Sequence, residues 1–195
     1  TIEHSDNVES LDSIEKKNKN LDAALDKFEE IKQHYNNKLA VNPCFIIQIS
    51  NKDKAEEELQ TTIYPTLNNT KHQDLKWVYI TGDKTGKGCK TNDSGLNKLP
   101  VSKWKEYMKP KESSISVIIF KMVISEGWDI PRACMLYQVR DTKSKQLDEQ
   151  VMGRVRRNPR LLDFEHLSKE AQDLASTAWI WGIAPKEAGL PKQVN

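Results

Sequence analysis

The sequence predicts an α/β domain, with a mostly parallel central sheet and helices on both of its faces. Three observations lead there. Short apolar runs alternate along the chain with amphipathic segments of helical period. The runs 44-CFIIQIS-50, 115-ISVIIF-120 and 133-ACMLYQV-139 are apolar throughout, as strands buried on both faces must be. Turn formers bound the runs.

Residues 1–20 are polar and weakly patterned and read as a lead-in. Leu21, Ala24, Leu25, Phe28, Ile31, Tyr35 and Leu39 then recur at helical spacing. After Asn42-Pro43 comes the first buried strand, 44–50. The segment 52–64 reads as a helix stopped by Pro65, because proline lacks the N–H that a helix interior needs. The strand 77-WVYI-80 follows, then the loop 81-TGDKTGKGCK-90. A short helix is expected at 102–108 and a strand at 115–120. A turn holds 125-SEGWDIP-131, and 133–139 is another strand. The stretch 145-KQLDEQVMGRVRR-157 reads as a helix ended by Asn158-Pro159. A last helix is expected at 168–181, with Leu174, Ala175, Ala178 and Trp179 inward. Trp179 and Trp181 suggest an interface with further domains. Three segments result: a lead-in and amphipathic helix over 1–40, an α/β lobe over 41–160, and a helical extension over 161–195.

With 195 residues, of which 30% are charged and 37% hydrophobic, the chain suits a globular domain with long surface helices. No run approaches the ~18 apolar residues of a membrane span, and the first thirty residues lack a signal peptide's apolar core. The start at Thr1 reads as a piece of something longer. Cys44, Cys89 and Cys134 are far apart, which argues against a disulfide framework or a zinc site. No metal-binding residues are expected. Cys44 and Cys134 read as buried thiols, and a reducing, cytoplasmic setting follows. The four histidines lie among polar residues and none is favoured as ligand or base. Net charge is +2, but residues 140–160 hold seven Lys/Arg against three acids, a candidate anion-binding surface.

The loop 81–90 looks like a phosphate loop and is not one. G-x-x-x-x-G-K-[ST] curls backbone N–H groups round a phosphate and sets a hydroxyl on Mg²⁺. Here Gly86 comes one residue too early after Gly82, and Gly88 follows Lys87 where a hydroxyl is needed. A polar turn is the expected role. Two other stretches concentrate chemistry. Gln150, Arg154 and Arg157, at i, i+4 and i+7, share one helix face. Gly153 on that side costs about 1 kcal/mol against alanine and lets another surface come close. Two guanidiniums on one face can stabilise charge on a transferring phosphoryl group. On spacing alone, a basic helix making salt bridges is an equal reading. In 126-EGWDIP-131, Gly127 and Asp129 follow a strand and a turn. Such an aspartate accepts from a ribose hydroxyl or an arginine, and on its own a turn-capping role is the commoner one.

Taken together the stretches are more specific. An apolar strand, S-E-G-W-D-I-P, a second strand and Q-x-x-G-R-x-x-R resemble motifs V and VI of superfamily 2 helicases. The order and spacing resemble the second RecA-like lobe, and the E-G-W-D form resembles the Res subunit of type III restriction enzymes. The resemblance covers about 115–160 and extends loosely back to 44–57. It implies a RecA-like three-layer domain. It implies that Arg154 and Arg157 are arginine fingers reaching ATP and Mg²⁺ held mainly by a first lobe, with Gln150 positioning them. Gly127, Asp129 and Gly153 would lie at the nucleotide edge. Ser50, Asn51, Lys52, Thr81, Gly82 and Lys121 would approach the backbone of one DNA strand. Lys121 stands where many relatives carry a phosphate-contacting threonine, and would meet the phosphate as a point charge. The phosphate loop, an acidic metal-binding motif and a nuclease pattern are missing from this sequence. The implied partners are therefore DNA, a first lobe and a nuclease domain of the same protein, and a modification or recognition subunit. This fragment alone is expected to be inactive. The rivals are a type I restriction translocase or repair helicase lobe, and a binding module that kept the fold without catalysis. A flavodoxin-like domain ranks lower, for want of a phosphate loop after its first strand.

Overall fold

The computed structural model describes residues 2–4, 14–51, 53–83, 85–121, 129–139, 153, 155 and 158–182. Seven strands form one sheet: β1 (Ile2–His4), β2 (Cys44–Ile49), β3 (Lys76–Ile80), β4 (Lys90–Thr91), β5 (Ile115–Lys121), β6 (Ala133–Gln138) and β7 (Ala178–Gly182). Their order is β1-β7-β6-β2-β5-β3-β4. Every neighbouring pair is parallel except β3 with the short edge strand β4.

The apolar runs explain the layering. Side chains alternate across a strand with period two. Phe45, Ile47, Val117, Ile119, Met135, Tyr137, Trp77 and Tyr79 enter one core. Ile46, Ile118, Phe120, Leu136, Val78 and Ile80 enter the other. The first core is closed by α1 (Ile14–Leu39), whose buried stripe is the one expected, Leu21 through Leu39. Phe28 on that stripe packs against Phe45, ring centroids 5.3 Å apart. The second core is closed by α4 (Ser94–Asn97) and α5 (Trp104–Met108) through Leu96, Trp104 and Met108, and by Ile130 and Val155. Helix, sheet and helix make three layers around a mostly parallel sheet, as expected.

Several elements differ from expectation. The helix after β2 is not stopped by Pro65. It runs as α2 (Asp53–Glu58), a π turn (Leu59–Ile63) and α3 (Tyr64–Leu67). Pro65 cannot donate, and its ring crowds the carbonyl four residues back. The wider turn, in which the Tyr64 N–H reaches the Leu59 carbonyl, relieves that crowding. The last helix is shorter, Lys169–Ala175, and residues 178–182 are strand β7. Trp179 therefore packs in the sheet's own core rather than at an interface, with Trp181 half-buried beside it. The polar lead-in contains β1, and α1 begins at Ile14. The sheet thus draws strands from all three expected segments. Of the helix expected at 145–157, Gly153 and Val155 are described and both are helical.

Cys44 and Cys134 are buried free thiols, as expected. Burial pushes both thiols up, Cys44 to about 11, so neither is a nucleophile near neutral pH. No helix among the described residues is long and apolar enough to cross a membrane.

Candidate functional site

β2 lies between β5 and β6, while the chain leaves it first toward β3. That reversal is the switch point of a doubly wound sheet, where loops diverge and leave a crevice at the strands' carboxyl ends. Ser50, Thr81 and Lys121 meet at that edge. Lys121 is half-buried and in register with Ile49, one residue before Ser50.

Ser50 is fully buried. Its backbone N–H donates to Glu58 Oε2 at 2.7 Å and its hydroxyl to Glu58 Oε1 at 2.5 Å. The carboxylate of α2 thus takes both donors, and Ser50 offers none to a strand backbone outside. Asn51 is half-buried. Thr81 is also engaged: its hydroxyl donates to the Lys87 carbonyl at 2.8 Å. Gly82 is exposed, with open space where a Cβ would stand. The loop beyond satisfies itself. Asp83 accepts from the Thr85 hydroxyl and, at 2.7 Å, from the Thr85 N–H, and these donors hold its carboxyl below the usual range. The Gly86 N–H goes to the Asp83 carbonyl and the Cys89 N–H to the Gly86 carbonyl. With φ +76° and Val101 only 2.6 Å from a built Cβ, Gly86 must be glycine. This is a closed polar turn, as expected, and not a phosphate cradle.

Asp129 lies elsewhere. It precedes β6, at the amino edge of the sheet, and lines a cavity of about 740 Å³. Pro131 lines the same cavity, and so do Lys111 and the turn Asn158–Asp163 that follows the arginine-bearing stretch. Just inside, Ile130 and Val155 share one buried cluster. Asp129 and the 158–163 turn, far apart in sequence, therefore border one cavity. The turn is clamped: Arg160 Nε donates to both Asp163 oxygens at 2.9 and 3.0 Å, and a terminal nitrogen bonds the Leu39 carbonyl at the end of α1. Arg160 holds the Asp163 carboxyl below its ordinary range. Gly153 is exposed, with no atom within 4 Å of a built Cβ. Packing among the described residues gives no reason for glycine there. Gln150, Arg154, Arg157, Gly127 and Lys52 lie outside the described residues.

Sequence reading missed three groups. Glu58 could have been found, since Ala55, Glu58, Leu59 and Thr62 form one buried stripe and an acid there needs partners. Arg132 is 1% exposed, with Nε donating to the Met108 carbonyl at 2.8 Å and Nη1 to the Asn42 carbonyl at 3.1 Å. It ties together the segments entering β2 and β6, and its neighbours in sequence give no hint of this. His72, fully buried, has Nδ1 2.8 Å from Glu29 and Nε2 2.7 Å from Asp22. Asp22, Asp26 and His72 are spaced as metal ligands can be. Lys71 already supplies a cation there, 3.1 Å from Asp22 and 2.6 Å from Asp26. The cluster fastens α1 to the loop before β3.

The fold and its edges define a doubly wound α/β domain with a cleft at one edge and closed turns at the other. No protein-family model matches the chain, and no curated protein does. Among solved structures it is similar to the C-terminal domain of S. cerevisiae Dbp5, in a complex with Gle1 and IP6. The TM-score is 0.40 at 14% identity, over 82% of this chain and 71% of that one. It is also similar to the C-terminal part of the Fun30 ATPase domain, with TM-score 0.40 at 13% identity, over 85% of this chain and 41% of that one. At that distance the likeness concerns the fold alone.

Proposed function

We propose that the chain is the second motor lobe of an ATP-dependent DNA helicase or translocase, in the Res subunit of a type III restriction enzyme. One observation carries the reading. Asp129 and the turn directly after the arginine-bearing stretch border one cleft, although they are far apart in sequence. Such convergence is what a nucleotide edge built from both motifs needs. Gly153, exposed and without packing among the described residues, suits the close approach of a first lobe. The E-G-W-D form favours the restriction group over a type I translocase or repair helicase.

Bound ATP supplies the phosphoryl group whose transfer drives motion. The residues here would supply half of its site. Asp129, which lines the cleft, would accept from a ribose hydroxyl. Arg154 and Arg157 would set guanidinium charge against the γ-phosphate oxygens, with Gln150 holding them. The 81–89 loop is ill suited to grip phosphate, since its N–H groups at Thr85, Gly86 and Cys89 are used internally. That grip, and the Mg²⁺ that goes with it, would belong to the first lobe. At the carboxyl edge, Gly82, Asn51, Lys52 and Lys121 would meet the DNA backbone, with Ser50 and Thr81 shaping the edge from inside. Contacts of this kind position DNA and carry no sequence information. Recognition and cleavage would fall to a modification subunit and a nuclease domain.

Arg154→Ala in the protein that includes the first lobe separates a motor from a binding module. ATP turnover should fall by about 10³-fold or more, the worth of an arginine finger, with ATP and DNA binding retained. Unchanged turnover would reduce the helix to a basic surface.

A further inference from the structure

The segment 84–111 has a charge balance unlike the rest of the chain. It holds eight lysines and no arginine, against Asp93 and Glu106 alone. The remaining sequence carries 22 cationic and 26 anionic side chains. The structure gathers this segment into one small unit, the edge strand β4 with α4 and α5. Leu96, Trp104 and Met108 bury beneath it. Trp104 Nε1 donates to the Leu99 carbonyl at 3.0 Å. Asp93 is buried and turned inward, accepting from the Leu96 N–H at 2.7 Å and the Ser114 hydroxyl at 2.9 Å.

The lysines face the other way. Lys87, Lys90, Lys98 and Lys103 are exposed and Lys105 is partly so. Among the described residues, the one ion pair of this unit joins Lys109 to Glu106 at 3.7 Å. The contrast with the opposite layer is plain. There Lys19, Lys27, Lys38 and Lys71 all have carboxylates at 3.4 Å or less. Apart from Asp83 beside Lys87 and Glu106 beside Lys109, the cluster meets few carboxylates, and such an excess of cations is an electrostatic footprint for a polyanion. Lysine alone, without arginine forks, suits phosphates met as point charges rather than base edges. The unit also continues from Thr81 and Gly82, at the carboxyl edge, through the 81–89 loop.

We infer that the β4–α4–α5 edge is a second DNA-binding surface, on which Lys87, Lys98, Lys103 and Lys105 hold the phosphate backbone of duplex DNA beside the motor's own track. The choice of DNA rests on the proposed function. The surface itself rests on the charge and its placement.

The test is fluorescence anisotropy of this chain with a labelled duplex across a salt series, wild type against the triple variant Lys98→Gln, Lys103→Gln, Lys105→Gln. Each lost phosphate contact flattens the slope of log K on log salt by about 0.9, so three remove about 2.7. Between 50 and 200 mM salt the variant should then lose about 40-fold less affinity than wild type, from a weaker start. An unchanged affinity and slope in the folded variant would overturn the inference. So would wild-type chain that binds polyaspartate or anionic vesicles but not the duplex. The Arg154→Ala result does not depend on these lysines, so the two readings fail separately.

Discussion

Gly153 is the residue whose surroundings say least for it and whose position says most. It is helical and exposed, and among the described residues it meets no side chain that would exclude a methyl group. Glycine in a helix interior is less stable than alanine by about 1 kcal/mol. Gly153→Ala should therefore stabilise this chain by up to about 1 kcal/mol in denaturant unfolding. In the protein with its first lobe the same change should slow ATP turnover, because a methyl group would stand in the closing surface. Stabilisation with full turnover would mean that nothing approaches there. Ser50 teaches the opposite lesson. The resemblance put it on the DNA path, and the fold gives both its donors to Glu58. The spacing of Ala55, Glu58, Leu59 and Thr62 could have revealed that Glu58 is buried. It could not reveal which strand end the carboxylate would reach.

Among the elements, strands β2, β3, β5 and β6 were legible because their runs are apolar on both faces. β7 was not. The helical pattern of 169–175 leads straight into Ala178-Trp179-Ile180, and only pairing with β6 and β1 makes that stretch a strand. β1 is Ile-Glu-His, with no pattern to read. The π turn was hidden because Pro65 signals a stop, and the chain accommodates it by widening one turn. Of the cleft, Asp129 was singled out from the sequence, but only the sheet brings it to the 158–163 turn. The α4 unit offers a test at this scale. Asp93 caps α4. Burial would raise its carboxyl, but the Leu96 N–H and the Ser114 and Tyr107 hydroxyls outweigh burial and leave it below the usual value. A depressed carboxyl stabilises the fold above the ordinary aspartate value, and that gain is lost as pH falls through the folded one. Asp93→Ala should cost about 1–2 kcal/mol near neutrality, the worth of a helix cap. In urea titrations the gap from wild type should narrow below roughly pH 4. A gap that stays constant down to pH 2 would show that the carboxylate charge contributes nothing.

At the scale of the whole molecule, the sheet separates two kinds of site. Asp129 and the clamped turn stand at its amino edge, and Lys121 and the closed glycine loop at its carboxyl edge. The lysine unit flanks the β3 side, continuous with that second edge. Under the proposed function, the phosphate grip would come from another lobe, since the 81–89 loop spends its Thr85, Gly86 and Cys89 N–H groups internally. On that reading this chain would complete a site that another body holds. The central claim is that Arg157 reaches nucleotide across such a boundary. The most direct measurement is DNA-stimulated ATP turnover of the protein that contains both lobes, wild type against Arg157→Ala. The account predicts that turnover falls by about 10³-fold or more while ATP still binds. Turnover equal to wild type would contradict it, and the helix would then be a basic surface with no part in the reaction.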